Sequence, residues 1–290
     1  MGQPAKIAVM NRIDALFARL RREDRRALMP FLTAGDPDLE TTAALLDELL
    51  GRRGLADLAE LGIPYSDPIA DGPVIAASYT RALGRGVRLA AIFQMLADWR
   101  RRHPDPPIVT MVSYAIVHRH GVDRYLAEAR AAGVDGLIVP DLPVEEAEGP
   151  EGFQTRCAAA ELKLIQLVTP TTPRDRAVRI ARSSSGFLYY VSVAGITGER
   201  QHLPPELAEN VAWLRTQTEL PICIGFGISR PEHVRQLAPV ADGLIVGSAI
   251  VRRIQELAAS GLNREALVAE IGQYVEALGQ ARAVSPTASA

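Results

Sequence analysis

The stretch Ala56–Pro73, A-D-L-A-E-L-G-I-P-Y-S-D-P-I-A-D-G-P, joins a short apolar run to a loop rich in proline and acidic residues. The apolar run has the length of a buried strand, and Glu60 lies near its end. Prolines lack a backbone N–H and fix φ, so the loop predicts neither a helix nor a paired strand. The loop also carries Asp67 and Asp71. Carboxylates at a strand end and in the next loop allow acid–base catalysis, although aspartate beside proline and glycine is also ordinary turn chemistry.

The rest of the chain repeats this order of an apolar run followed by a helical pattern. The runs that predict strands are Leu28–Thr33, Leu55–Leu61, Ile108–Ser113, Gly136–Val139, Leu164–Val168, Phe187–Val191, Ile222–Ile224 and Gly243–Val246. They are mostly apolar rather than alternating, as parallel strands buried on both faces should be. Eight such units predict an α/β fold, a (β/α)8 TIM barrel in one domain over residues 1–280. An extra N-terminal helix is expected within Ile7–Leu20.

Two further points complete the prediction of the fold. An open doubly wound sheet is the alternative, and it is disfavoured by the count of eight and by the lack of G-x-G-x-x-G after the first strand. The segment Ala281–Ala290 is small and polar and predicts a disordered tail.

Composition and charge narrow the classes of function. The formal net charge is −2, and the short basic cluster Arg19–Arg26 is interleaved with acids, so nucleic acid is not an expected partner. No apolar run has membrane-spanning length and no signal-peptide pattern begins the chain, which predicts no membrane association. The two cysteines lack C-x-x-C spacing and the five histidines are scattered, so no metal site is predicted. These observations favour a cytoplasmic protein.

Glycines at the ends of the last predicted strands suggest where a ligand binds. In a (β/α)8 barrel the active site lies at the C-terminal ends of the strands. Gly198 follows the sixth predicted strand, Gly225 and Gly227 follow the seventh, and Gly247 follows the eighth. Glycine lets backbone N–H groups approach an anion, and a helix N-terminus attracts one, so these loops together predict a phosphate site. Ser248 is expected to cap the last of these helices and to contact the anion. A phosphorylated small molecule handled by carboxylates, without a cofactor, is the predicted ligand.

Five blocks of sequence carry a family resemblance. They are P-F-L-T-A-G-D-P, E-L-G-I-P-Y-S-D-P-I-A-D-G-P, V-P-D-L-P-V-E-E, G-F-G-I-S and V-G-S-A-I-V, in this order between about Ile13 and Gln273. They resemble the tryptophan synthase alpha-chain family. The resemblance implies a (β/α)8 barrel that cleaves indole-3-glycerol phosphate to indole and glyceraldehyde 3-phosphate, as a lyase of tryptophan biosynthesis. It implies no cofactor in this chain, and as partner a beta chain that carries pyridoxal phosphate, in an α2β2 heterotetramer.

The same resemblance implies roles for individual residues. Glu60 would shuttle protons between the indole C3 and the C3′ hydroxyl, and Asp71 would stabilise the ring nitrogen and take its proton. Thr197 would hold Asp71 in position, and Asp67 is a candidate contact to the beta chain. The residues implied at the phosphate are Gly198, Gly227, Gly247 and Ser248. The residues implied around the indole are Phe31, Ile75, Met111, Ile138, Leu167, Tyr189 and Phe226.

Three positions depart from the family pattern and leave alternatives open. Ser113 and Ala115 stand where tyrosine and asparagine are usual, and Ala76 stands where glutamine is usual. In the family the tyrosine helps to wall the indole pocket, and the two amides belong to the face that meets the beta chain. One alternative is therefore a stand-alone lyase that is efficient without a partner. Another is a non-catalytic phosphate-binding barrel that tunes a beta chain, and the presence of Glu60 and Asp71 argues against it.

Overall fold

The computed structural model describes residues 10–68, 71–191, 205–225 and 227–282. Parallel strands form the wall of a (β/α)8 barrel, which confirms the predicted fold. The strands in the described residues are β1 Ala27–Thr33, β2 Ala59–Gly62, β3 Ile108–Met111, β4 Gly136–Ile138, β5 Lys163–Ile165, β6 Leu167–Val168, β7 Leu188–Val191, β8 Ile222–Gly225 and β9 Gly243–Val246. Each neighbouring pair is parallel, and most of the strand residues are buried, as apolar runs without alternation require.

The barrel closes at the segment Lys163–Val168, which supplies the strands at both ends of the sheet. The strand order is β5-β4-β3-β2-β1-β9-β8-β7-β6, so β5 and β6 lie at its two ends. Only Gln166 separates these two strands, and its backbone carbonyl accepts a hydrogen bond from the Tyr189 N–H at 3.1 Å. The single predicted strand Leu164–Val168 is thus divided in two. The division falls where the chain stops pairing with β4 and starts pairing with β7. At this point the buried Gln166 side chain donates a hydrogen bond to Ser183 Oγ at 2.6 Å.

Helices surround the strands. They are α1 Arg12–Arg22, α2 Leu39–Leu46 with a π-helical continuation Asp47–Arg52, α3 Pro73–Gly84, α4 Leu89–Arg102, α5 Tyr114–His120, α6 Val122–Ala131, α7 Val144–Ala147, α8 Phe153–Ala159, α9 Arg174–Arg182, α10 Pro205–Arg215, α11 Pro231–Leu237, α12 Ser248–Ala259 and α13 Arg264–Gln280. No helix in the described ranges is both long enough and apolar enough to cross a membrane.

The extra N-terminal helix is α1. Asn11 caps it, because the Asn11 side chain accepts a hydrogen bond from the Ile13 N–H at 2.9 Å. Residues 7–9 of the predicted helix lie outside the described residues. The apolar face of α1, including Ile13 and Phe17, packs against inward side chains such as Met29 of β1 and against Phe187, the residue before β7. Burial of this face joins the helix to the core of the barrel.

Two local predictions need correction, and both concern the segment after β3. The strand predicted over Ile108–Ser113 ends at Met111, because Ser113 is the N-cap of α5. The helix α5 was not predicted, and two of the scattered histidines, His118 and His120, lie in its last turn. At the C-terminus, Ala281 is buried and Arg282 pairs with Asp57, whereas residues 283–290 of the predicted tail lie outside the described residues.

Candidate active site

A cavity of about 470 Å³ lies at the C-terminal ends of the strands. The described residues that line it come from the ends of β1, β2, β3, β6, β7, β8 and β9 and from the loops and helices that follow. They are Phe31, Glu60, Asp71, Gly72, Ile75, Met111, Pro140, Leu167, Tyr189, Val191, Gly225, Gly227, Ile228, Ser229, Ile245, Gly247, Ser248, Ala249 and Arg252. The location agrees with the usual position of a barrel active site.

Glu60 is the buried acid of this cavity. It lies on β2, in register with Phe31 on β1 and Val109 on β3, and its exposed fraction is 1%. Its Oε1 atom has no hydrogen-bond partner in the described part of the chain. Burial raises the pKa of Glu60 from 4.5 to about 8, because the charged form loses its hydration. A buried carboxyl without a partner is costly for folding and is typical of a functional group.

Asp71 is the second acid, and it comes from the loop between β2 and α3. Its backbone N–H donates to the Pro68 carbonyl, and Gly72 and Pro73 then begin α3. Burial raises the pKa of Asp71 to about 6, and the negative charge of Asp141 adds to the rise. Near pH 7, Glu60 is therefore mostly protonated and Asp71 mostly ionised. Two carboxyls whose pKa values are separated in this way can act as an acid and a base.

A smaller cavity of about 20 Å³ adjoins the first and shares Asp71, Met111 and Pro140 with it. Ser113 and Asp141 also line this smaller cavity. The sequence pattern had placed Asp141 at the end of the fourth strand without giving it a role. Its position at a strand end was the signal that could have identified it.

Five of the seven residues implied around the indole line the cavity. The predicted residues that line the cavity are Phe31, Ile75, Met111, Leu167 and Tyr189. Ile138 does not line it, since its side chain is fully buried in the barrel interior with Met29, Val109 and Ile165.

Glycines also line the cavity, among them Gly225, Gly227 and Gly247. Gly227 has φ +64°, a conformation that favours glycine, and Gly247 is the N-cap of α12. The expected cap by Ser248 is not found, because Ser248 is the first residue of the helix and Gly247 occupies the capping position. The first N–H groups of a helix have no partner within it, so they can bind an anion. Thr197, Gly198 and Phe226 lie outside the described residues.

Arg252 is a cavity residue that the sequence interpretation missed. It lies on α12 one turn after Ser248, and both side chains line the cavity. Spacing of four residues puts two side chains on one face of a helix, which was the available signal.

Two carboxyls and the glycine-capped start of a helix thus lie at the strand ends of a (β/α)8 barrel, the arrangement expected of a barrel enzyme. A family model described as tryptophan synthase alpha chain matches residues 17–280. The tryptophan synthase alpha chain of Rhodopirellula baltica is 54% identical over 282 residues, which cover 94% of this chain and 99% of the relative. The chain therefore belongs to the tryptophan synthase alpha chain family.

Solved structures agree with this assignment. The tryptophan synthase alpha subunit of Legionella pneumophila superposes with a TM-score of 0.85 at 35% identity, and the match covers 94% of this chain and 99% of that one. A chain from a study of mutual activation in the tryptophan synthase α2β2 complex of Pyrococcus furiosus gives a TM-score of 0.79 at 39% identity, covering 88% and 98%. The similarity extends over nearly the whole barrel.

Proposed function

We propose that this chain cleaves indole-3-glycerol phosphate to indole and glyceraldehyde 3-phosphate, with Glu60 and Asp71 as its proton-transferring pair. The observation that carries the proposal is the Glu60 carboxyl, which is buried at the floor of the cavity with an oxygen that no described residue engages. A substrate atom that exchanges a proton with this oxygen would supply the absent partner. The pKa of about 8 keeps the proton available near neutral pH.

The reaction needs two proton transfers at the indole ring before its carbon–carbon bond breaks. Protonated Glu60 gives its proton to C3, and ionised Asp71 takes the proton from N1, which leaves the indolenine tautomer. Glu60, now a carboxylate, removes the proton of the C3′ hydroxyl. The C3–C3′ bond then breaks, its electron pair returns to the ring, and Asp71 gives the proton back to N1. Both carboxyls end in their starting states, so the cycle needs no external acid or base.

The rest of the cavity fits the other two parts of this substrate. Phe31, Leu167 and Tyr189 provide apolar surface for the indole ring. The N-terminus of α12 and the glycines beside it provide backbone donors for the phosphate. A substrate held at both ends places its reacting carbon between the two acids, and such positioning lowers the barrier by removing rotational freedom in advance.

The test of this proposal is Glu60→Gln. The amide keeps the shape of the side chain and removes the proton carrier, so kcat should fall by about a hundredfold or more. Binding of glycerol 3-phosphate, measured by calorimetry, should stay within about twofold of wild type, which also reports a folded protein. Glu256→Gln, an exposed change on α12, is the control. Near-wild-type turnover by Glu60→Gln would refute the assigned role.

We infer a second property, a beta-chain partner that carries pyridoxal phosphate, in an α2β2 complex. The support is the family and the Pyrococcus furiosus neighbour, whose study concerns an α2β2 complex. The alternative of a stand-alone lyase is favoured by two positions that depart from the family pattern. The Ser113 hydroxyl bonds to Asp141 within the chain, and Ala115 is exposed on α5 with only a short side chain to offer a partner. Release of glyceraldehyde 3-phosphate with and without a tryptophan synthase beta chain separates the two. A rate that rises strongly supports the complex, and a fast rate that ignores the beta chain supports the alternative.

A further inference from the structure

Arg252 is the only basic side chain among the described residues that line the large cavity. It is exposed, and it forms no ion pair with another described residue. Its neighbour Arg253 differs, since it lies 3.7 Å from a Glu270 carboxylate oxygen and its guanidinium stacks 5.0 Å from the Tyr274 ring centre. Two adjacent arginines on α12 thus have different surroundings, one at the cavity and the other on the outer surface.

The position of Arg252 suits the anionic end of a ligand. It lies four positions after Ser248, so both lie on the face of α12 that borders the cavity. Gly247, which also lines the cavity, is the N-cap of the same helix. The cationic side chain and the backbone donors at the start of the helix therefore belong to the same part of the cavity wall.

The charges of the cavity favour a cationic contact for a dianionic ligand. Asp71 is mostly ionised near pH 7, so a phosphate enters a cavity that already carries negative charge. Backbone N–H groups donate hydrogen bonds but carry no net charge. A guanidinium offers several donors in a planar fork that matches two phosphate oxygens, and its charge compensates the one that the ligand brings.

We propose that Arg252 is the cationic contact of the substrate phosphate and sets the preference of this site for a phosphorylated over an uncharged ligand. The inference rests on the proposed function for the identity of the substrate. The contact itself depends only on the phosphate group. Since the phosphate does not react, Arg252 should contribute equally to binding the substrate and the transition state, and its loss should raise KM while kcat changes little.

The experiment measures Arg252→Gln beside Arg253→Gln, which removes the same charge one residue along the helix. Calorimetry with glycerol 3-phosphate should give a Kd about tenfold weaker for Arg252→Gln and unchanged for Arg253→Gln. Indole, the uncharged probe, should bind all three proteins within about twofold. KM for indole-3-glycerol phosphate should rise by a similar factor in Arg252→Gln only, and Arg252→Lys should recover part of the affinity.

Two results would overturn the assignment: equal affinity of wild type and Arg252→Gln for glycerol 3-phosphate, or an equal loss in Arg253→Gln. The binding assay needs no turnover. A wild-type chain that binds glycerol 3-phosphate through Arg252 without cleaving indole-3-glycerol phosphate would therefore refute the proposed reaction and still support this contact.

Discussion

Ser113 donates its hydroxyl hydrogen to Asp141, with 2.6 Å between Oγ and Oδ2, and the Tyr114 N–H donates to the other oxygen of the same carboxylate at 2.7 Å. The two bonds join the loop after β3 to the loop after β4 and fix the Asp141 carboxylate beside the smaller cavity. Asp71 lines the same cavity. The negative charge of Asp141 is therefore held in place, where it raises the pKa of Asp71 and makes Asp71 a stronger base.

Asp141→Asn should move the acid limb of the pH–rate profile to lower pH. If Asp71 acts as proposed, the wild-type limb should follow its ionisation with a pKa of about 6, and loss of the Asp141 charge should lower that pKa. The shift should be smaller than the whole rise, because burial is the larger cause and remains. An alkaline limb near pH 8 is expected from Glu60 and should stay in place. The measurement is kcat/KM for cleavage as a function of pH.

Ser113→Ala is the matched control for that experiment. It removes one hydrogen bond to Asp141 and leaves the carboxylate charge, so the acid limb should remain near its wild-type position. An equal shift in Ser113→Ala and Asp141→Asn would mean that the hydrogen bond, rather than the charge, controls Asp71.

Glu60→Gln should become more stable relative to wild type as the pH rises. Burial raises the pKa of Glu60 from 4.5 to about 8, so the folded chain keeps this proton where the unfolded chain releases it. The contribution of Glu60 to stability is complete below pH 4.5 and is lost as the pH rises through 8. The loss is up to about 1.4 kcal/mol for each pH unit in that window.

Thermal unfolding across that window measures the effect as the difference in Tm between Glu60→Gln and wild type. The control is Glu128→Gln, because a hydrogen bond from Arg124 lowers the pKa of this carboxyl below 4.5, so its contribution to stability is constant above pH 4.5 and its difference in Tm from wild type should not change across the window. Parallel Tm curves for Glu60→Gln and wild type would contradict a buried, protonated Glu60.

The fold could be predicted from the sequence because parallel strands buried on both faces leave a direct pattern of apolar runs. The boundaries after β3 could not be predicted in the same way. Val112 continues the apolar run and is buried, but Ser113 already caps α5, so its hydrogen bonds end the strand. Likewise, the break at Gln166 depends on a change of partner strand, and an interaction with a distant strand leaves no local signal in the chain.

In the candidate site, too, residues in distinctive motifs could be predicted, whereas residues placed by packing with distant parts of the chain could not. Glu60, Asp71 and Gly247 stand in distinctive motifs at strand ends, and the structure brings all three to one cavity. Arg252 stands on an ordinary amphipathic helix beside a second arginine, and only the packing of α12 shows which of the two borders the cavity. Ile138 had an apolar side chain at a strand end, but its inward direction places it in the core below the cavity.

Gly247→Ala and Gly247→Val should weaken phosphate binding in that order and leave the fold intact. A Cβ atom at Gly247 would lie 3.7 Å from Phe31 Cβ, which is an ordinary contact, so the protein has room for it and the ligand loses the space. The Kd of glycerol 3-phosphate should rise by about tenfold for valine, whereas Tm changes little. Unchanged affinity would place the phosphate elsewhere.

Gly225→Ala provides the contrast. A Cβ atom there would lie 2.4 Å from the Tyr189 hydroxyl oxygen, so the ring must move. A stability loss of about 1–3 kcal/mol is expected, as for other overpacked sites, and it should appear as a lower Tm. A Tm equal to that of wild type would show that the Tyr189 ring adjusts freely.

Asp67→Asn should weaken activation by a beta chain and leave the basal cleavage rate unchanged. Asp67 is exposed on the loop that leads to Asp71, so its charge can meet a cationic group of a partner at the mouth of the barrel. Titration of a tryptophan synthase beta chain against the cleavage rate should need about fivefold more partner for half-maximal activation. Asp123→Asn removes an exposed charge that pairs with Arg156 on the outer helices and should titrate like wild type. If the Asp67→Asn and wild-type titrations coincide, the partner does not use this carboxylate.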